Sequence, residues 1–145
     1  MKLVILMKFM LCCSTAFYDK VEEISKYLID KGYEVEYPNG YLENNYEIND
    51  NVTDEEYSKF FKDMFQESID KIKTCDGIIV LNYDKVKDGV VKPNYIGAST
   101  FLEMYEAFMN DKKIYMMNDY PDNMLLDEIK GFNPIILYGD INNFK

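Results

Sequence analysis

Glu103 closes the segment Asn94-Tyr95-Ile96-Gly97-Ala98-Ser99-Thr100-Phe101-Leu102-Glu103, where a glycine-containing loop gives way to a helical pattern. A carboxylate in that position can serve as a nucleophile. A helix starting near Ser99 or Thr100 would offer free backbone N–H groups and the positive end of its dipole, which favour an ionised carboxylate and bound anions. Upstream, Asp76-Gly77-Ile78-Ile79-Val80-Leu81-Asn82 is an apolar, strand-like run. Loop and helix would therefore lie beyond a strand's carboxyl end, where ligand sites of open α/β sheets gather. Glu103, Glu106 and Asn110 share one helical stripe, so an ordinary solvated face is the competing reading of Glu103.

Other residues could serve the same chemistry. Gly97, Ser99 and Thr100 offer backbone and hydroxyl groups at the helix start, and Cys13 and Ser14 stand in a short polar loop, Cys13-Ser14-Thr15-Ala16-Phe17. Phe17 and Tyr18 could stack on a flat ligand, although Phe17 is also a core candidate. Asn82, Tyr83 and Asp84 follow the apolar run, placed either to hydrogen-bond a polar ligand or to scaffold the loop. Asp76 reads as a structural turn residue.

The elements that must position these groups follow from periodicity. Met1 to Leu11 reads as a buried strand and not as a signal peptide, because Lys8 interrupts the apolar run and no small-residue cleavage site follows. Ser14 or Thr15 caps a helix with Phe17, Val21, Ile24 and Leu28 on one face and Gly32 as its stop. Tyr33 to Tyr37 alternates as a strand, and Pro38 to Val52 is a long loop, either a lid or binding segment or a merely solvated connection. Thr53-Asp54-Glu55-Glu56 forms a capping box for a helix striped by Tyr57, Phe60, Phe61, Met64, Phe65, Ile69 and Ile72. A strand at Ile78–Leu81, a loop from Tyr83 to Ile96, and the Glu103 helix with Phe101, Met104, Tyr105 and Phe108 inward come next. Strands at Lys113–Met117 and Pro134–Tyr138 flank a short helix at Asp127–Lys130. Strands alternating with helices predict a parallel sheet covered on both faces.

Composition narrows the function. The 145 residues carry a formal net charge of −10, with no histidine and no tryptophan, and every basic residue is a lysine. That balance argues against a duplex nucleic-acid binder, whose affinity rests on neutralising many phosphates. Histidine acid–base or metal chemistry is excluded, and neither a metal nor another cofactor is called for. The three cysteines, Cys12, Cys13 and Cys75, form neither a disulfide framework nor a metal-ligand spacing, which points to a reducing, cytoplasmic setting. The apolar N-terminal run is too short to span a bilayer, and no membrane association is expected.

The Asp76–Asn82 run, the Gly97–Glu103 loop and helix start, and the Lys112-Lys113-Ile114-Tyr115 strand resemble the nucleoside 2-deoxyribosyltransferase family. The likeness extends over most of the chain. It implies one domain over residues 1–145, an α/β flavodoxin-like (Rossmann-like) fold with a five-stranded parallel sheet and helices on both faces. It implies cleavage or exchange of the N-glycosidic bond of a nucleoside or nucleoside monophosphate, with Glu103 as nucleophile and a glycosyl-enzyme intermediate. It also implies a homo-oligomer in which a neighbouring subunit completes the active site. Two positions depart from the pattern. Cys13 occupies a loop where family members have glycine, and Ser68 stands where they carry an acidic residue or a histidine that handles the proton of the leaving base. Ser68 either faces the pocket or back-bonds to a helix carbonyl. A non-catalytic nucleotide-binding protein on the same fold is the alternative. A flavin mononucleotide protein is a weaker reading, because the first loop lacks a longer Ser/Thr-rich phosphate cradle.

Overall fold

The computed structural model describes residues 5–45 and 47–145, so the predicted strand residues 1–4 lie outside the described ones. Five strands form one parallel sheet in the order β2-β1-β3-β6-β7: β1 (Lys8–Cys12), β2 (Glu34–Glu36), β3 (Gly77–Val80), β6 (Lys113–Met116) and β7 (Ile135–Ile136). Counting only these strands, the order is 2-1-3-4-5, the flavodoxin-like arrangement, whose topological switch lies between β1 and β3. The central strands are apolar on both sides because both faces are covered.

On one face, Phe9, Leu11, Ile79, Leu81, Tyr115 and Met117 pack against α1 (Val21–Asp30) and the C-terminal Phe144. On the other, Met10, Cys12, Ile78, Val80, Ile114 and Met116 meet α2 (Asp54–Thr74), α3 (Ala98–Met109) and α4 (Leu126–Gly131). β3 and β6 approach so closely that a Cβ on Gly77 would stand 2.6 Å from the Lys113 carbonyl oxygen. Asp76 is the structural residue its position suggested. Its Oδ2 accepts the Lys8 backbone N–H at 2.8 Å, and its own N–H donates to the Lys8 carbonyl at the same distance.

Several expectations need correction. The first strand is shorter than the apolar run: Ile5, Leu6 and Met7 are exposed and precede β1. Ser14 does cap, accepting from the Ala16 N–H, but it opens a 3₁₀ turn over Thr15–Lys20 before α1 begins. Gly32, at φ +92°, ends that segment as predicted. The Tyr83–Ile96 loop holds an antiparallel hairpin of β4 (Lys85–Lys87) and β5 (Val90–Lys92), turned by Asp88 and Gly89 at positive φ. Its strands are only three residues each and rich in lysine, so they lack the alternating apolar signal of a buried strand.

The inner face of α3 is Thr100, Met104 and Ala107, whereas Tyr105 and Phe108 are about half exposed. Ala107 lets the helix lie close to the sheet, and the larger aromatics turn outward. No helix among the described residues is long and apolar enough to cross a membrane.

Candidate active site

The capping box of α2 is complete: Thr53 Oγ1 accepts from the Glu56 N–H, and Glu56 reaches back to the Thr53 N–H. The helix so started runs 21 residues, yet only Ser68 and Ile72 along it are buried. Ile72 packs on the sheet. Of the remaining apolar stripe, Phe60, Phe61, Met64, Phe65 and Ile69 wall a cavity of about 540 Å³ between α2, α3 and the loop after β1, whereas Tyr57 is exposed outside it. The cavity thus opens at the carboxyl end of β1, beside the topological switch. Its size and largely apolar lining with a few polar groups match small-molecule sites.

Glu103 lines this cavity. Because α3 starts at Ala98 with Gly97 as its N-cap, Glu103 falls in the second turn, beyond the reach of the free N–H groups that the sequence suggested would hold it. Side chains hold it instead. Ser68 donates its hydroxyl to Glu103 Oε2 at 2.8 Å. Ser68 Oγ in turn accepts from Asn39 Nδ2 at 2.6 Å, and the second Asn39 N–H reaches the Met64 carbonyl at 2.9 Å. Lys71 Nζ donates to Asn39 Oδ1 at 3.1 Å and to the Tyr37 carbonyl at 3.0 Å, and pairs with Glu67 at 3.2 Å. Tyr18 donates its hydroxyl to the Asn39 carbonyl at 3.1 Å.

Burial raises the Glu103 carboxyl from its ordinary 4.5 to about 7. The Ser68 hydrogen bond, the positive charge of Lys71 and a bond from the Cys12 thiol pull in the opposite direction without cancelling it. The group is therefore poised to change charge near neutral pH. Burial, with the Glu103 charge adding to it, pushes the Cys13 thiol well above the ordinary range, so that thiol is no nucleophile at neutral pH.

The predicted site residues divide into two groups. Cys13, Ser14, Tyr18, Ser68, Gly97, Ser99, Thr100 and Glu103 line the one cavity. For Ser68 the structure decides between the two readings, since its hydroxyl faces Glu103. Phe17, Asn82 and Asp84 are not brought there. Phe17 is a core residue packed edge-on against Tyr83, with ring centroids 5.7 Å apart. Asn82 is fully buried and ties the end of β3 to the chain after β6: it donates to the Asp119 carbonyl at 2.9 Å and accepts from the Asn118 N–H at 2.9 Å. Asp84 accepts from the Asn94 N–H at 3.0 Å and closes the base of the hairpin.

Sequence reasoning missed Asn39 and Lys71, whose spacing carries no motif. It also missed Tyr95, which lines the cavity while Lys85 and Lys92 of the hairpin sit over its ring at 4.6 and 5.8 Å from the centroid. The long loop after β2 contributes Pro38, Asn39 and Ile48 to the lining, so it is more than a solvated connection. Compared with family models, with curated proteins and with solved structures, the chain finds no match.

Proposed function

We propose that this protein cleaves or exchanges the N-glycosidic bond of a nucleoside or nucleoside monophosphate, with the Glu103 carboxylate attacking the anomeric carbon. One observation carries the reading: a partly desolvated glutamate, oriented by a serine hydroxyl, opens into an aromatic-walled cavity of nucleoside size at the carboxyl edge of a flavodoxin-like sheet. Phe60, Phe61, Phe65 and Tyr105 offer flat faces to a base, while Ser14, Ser99 and Thr100 offer hydroxyls to a sugar. Attack gives a glycosyl ester on Glu103, which water resolves to free sugar or a second base resolves to a new nucleoside. Burial, which destabilises the charged carboxylate, favours its conversion into that neutral ester.

A second reading, a nucleotide-binding protein without turnover, is favoured by Ser68. Its hydroxyl is engaged by Glu103 and Asn39 and is in any case a weak acid for protonating a departing base. Incubation with a panel of nucleosides and nucleoside monophosphates, followed by chromatography for free base, separates the two. Base release supports catalysis, whereas saturable binding without release supports the second reading.

We also propose a homo-oligomer in a reducing, cytoplasmic setting. Leu102, Tyr105, Phe108 and Met109 leave an apolar strip on the outer side of α3 that a second copy would cover, and Cys12, Cys13 and Cys75 are all buried free thiols.

A further inference from the structure

We propose that Glu106 is the catalytic acid that protonates the departing base, an inference that rests on the glycosidic reading above. Glu103 and Glu106 are the two carboxyl-bearing residues among the described residues lining the cavity. They stand one turn apart on α3, and residues at that spacing have Cβ atoms about 5–6 Å apart. Retaining glycosidases likewise pair a nucleophile carboxylate with an acid carboxyl in one site. Each carboxyl has its own orienting partner. Glu103 is held from α2 by Ser68, while Glu106 Oε1 accepts from Asn110 Nδ2 at 3.0 Å and Asn110 is fixed by a second bond to the Glu106 carbonyl at 2.8 Å. Among the described residues nothing donates to Glu106 Oε2, which leaves that oxygen for the substrate.

The other proton donors in the cavity fit the task poorly. A general acid works best when its affinity for the proton is matched to the operating pH. Serine and threonine hydroxyls hold their protons too tightly, and the Cys13 thiol is shifted the same way. Ser68 is also spent on Glu103. The step then balances as follows. Glu103 Oε attacks the anomeric carbon, the carbon–nitrogen bond breaks with its electron pair going to the base, and the Glu106 carboxyl gives its proton to that nitrogen. In the second half, Glu106 as carboxylate takes a proton from the water that attacks the anomeric carbon, and the ester bond to Glu103 breaks with its electrons returning to the carboxylate. Each carboxyl ends with the proton count it began with.

The test uses Glu106→Gln and two kinds of leaving group. One is the nucleoside that the wild-type chain cleaves best, and the other is 4-nitrophenyl riboside or its 2-deoxy analogue, whose phenolate departs without a proton. Gln keeps the Asn110 contact through its amide oxygen, and activity on the aryl riboside reports that the variant is folded. The expected result is a loss of about a hundredfold to ten-thousandfold in base release from the nucleoside, while the first-turnover burst of 4-nitrophenolate keeps its rate and only the later turnovers slow, for want of the base in the second half. Unchanged nucleoside cleavage by Glu106→Gln overturns the role of Glu106 while leaving the glycosidic reading intact. Equal losses in the first turnover of both substrates also overturn it, because a group needed for binding or folding would not distinguish leaving groups. A wild-type chain that releases neither base nor phenolate removes the glycosidic reading and this proposal together.

Discussion

The Ser68 hydroxyl donates to Glu103 Oε2 at 2.8 Å, so that a residue of α2 stabilises the ionised form of a carboxyl that burial pushes up to about 7. If Glu103 attacks as a carboxylate, its ionisation should appear in kcat/KM as an ascending limb of about tenfold per pH unit below that value. Ser68→Ala withdraws a bond from the charged form, and the ascending limb should move to higher pH. Rate profiles of both proteins between pH 5 and 9 would check this, and a limb that stays in place would mean that Ser68 does not tune Glu103.

Glu103→Gln should lower base release by on the order of a thousandfold or more while nucleoside binding persists, since the amide keeps the shape of the side chain and cannot form the ester. The same change should alter stability in a pH-dependent way. Between 4.5 and about 7 the folded chain holds the Glu103 proton more tightly than the unfolded chain, so this group's contribution to stability falls as pH rises through that window. At pH 8 the variant should therefore be more stable than wild type, by up to about 3 kcal/mol. Denaturant titrations of both proteins at pH 4.5 and pH 8 would test this; a difference independent of pH would contradict it.

Lys71→Met removes the cation that Asn39 Oδ1 and the Tyr37 carbonyl both accept from. Leaving two partly buried acceptors without a donor should cost about 1–3 kcal/mol. Loss of the positive charge should also carry the Glu103 titration upward, because Lys71 lowers it. Melting curves and the pH–rate profile give the two readouts independently.

Gly77→Ala places a methyl group 2.6 Å from the Lys113 carbonyl oxygen, backbone that can yield only if β3 and β6 separate. A destabilisation of about 1–3 kcal/mol or more is expected from overpacking at the sheet's centre. A midpoint equal to wild type in urea unfolding would show that the two strands can part without loss.

Phe108→Asp puts a charge on the exposed strip of α3, where the Phe108 ring now lies 5.5 Å from that of Phe132. If this strip joins two copies, light scattering should find an oligomer for wild type and a monomer for the variant. Equal masses for the two proteins would remove the strip as the interface.

The layered fold was legible because its signals are local. Short apolar strand runs, the Thr53–Glu56 capping box and the Gly32 stop each act within a few residues. The β4–β5 hairpin escaped because its residues are exposed and carry no burial pattern. Glu103 was found from its loop and strand context, yet the reason given for its charge state was displaced. The helix begins at Ala98, and contacts from α2 replace those of the helix end. Asn39 and Lys71 are separated from Glu103 by more than thirty residues, as the contact between Ser68 and Glu103 itself is. Such pairings exist only once the chain is folded, and no spacing in a single sequence announces them. Phe17 went the other way: an aromatic at the start of a helix suits a core as well as a pocket, and here the core holds it.

Asn39 bonds the loop after β2 to three residues of α2, Met64, Ser68 and Lys71, and only Ser68 lies between it and Glu103. The conformational equilibrium of that loop and the protonation of the glutamate are therefore linked functions. Whatever lifts Asn39 away takes from Ser68 the donor that orients it and from Lys71 one of its acceptors. By reciprocity, if the charge of Glu103 and the position of Asn39 are coupled through Ser68, each shifts the other by the same free energy. A change at the glutamate and a displacement of Asn39 are in that sense coupled, with a carboxamide as the joint.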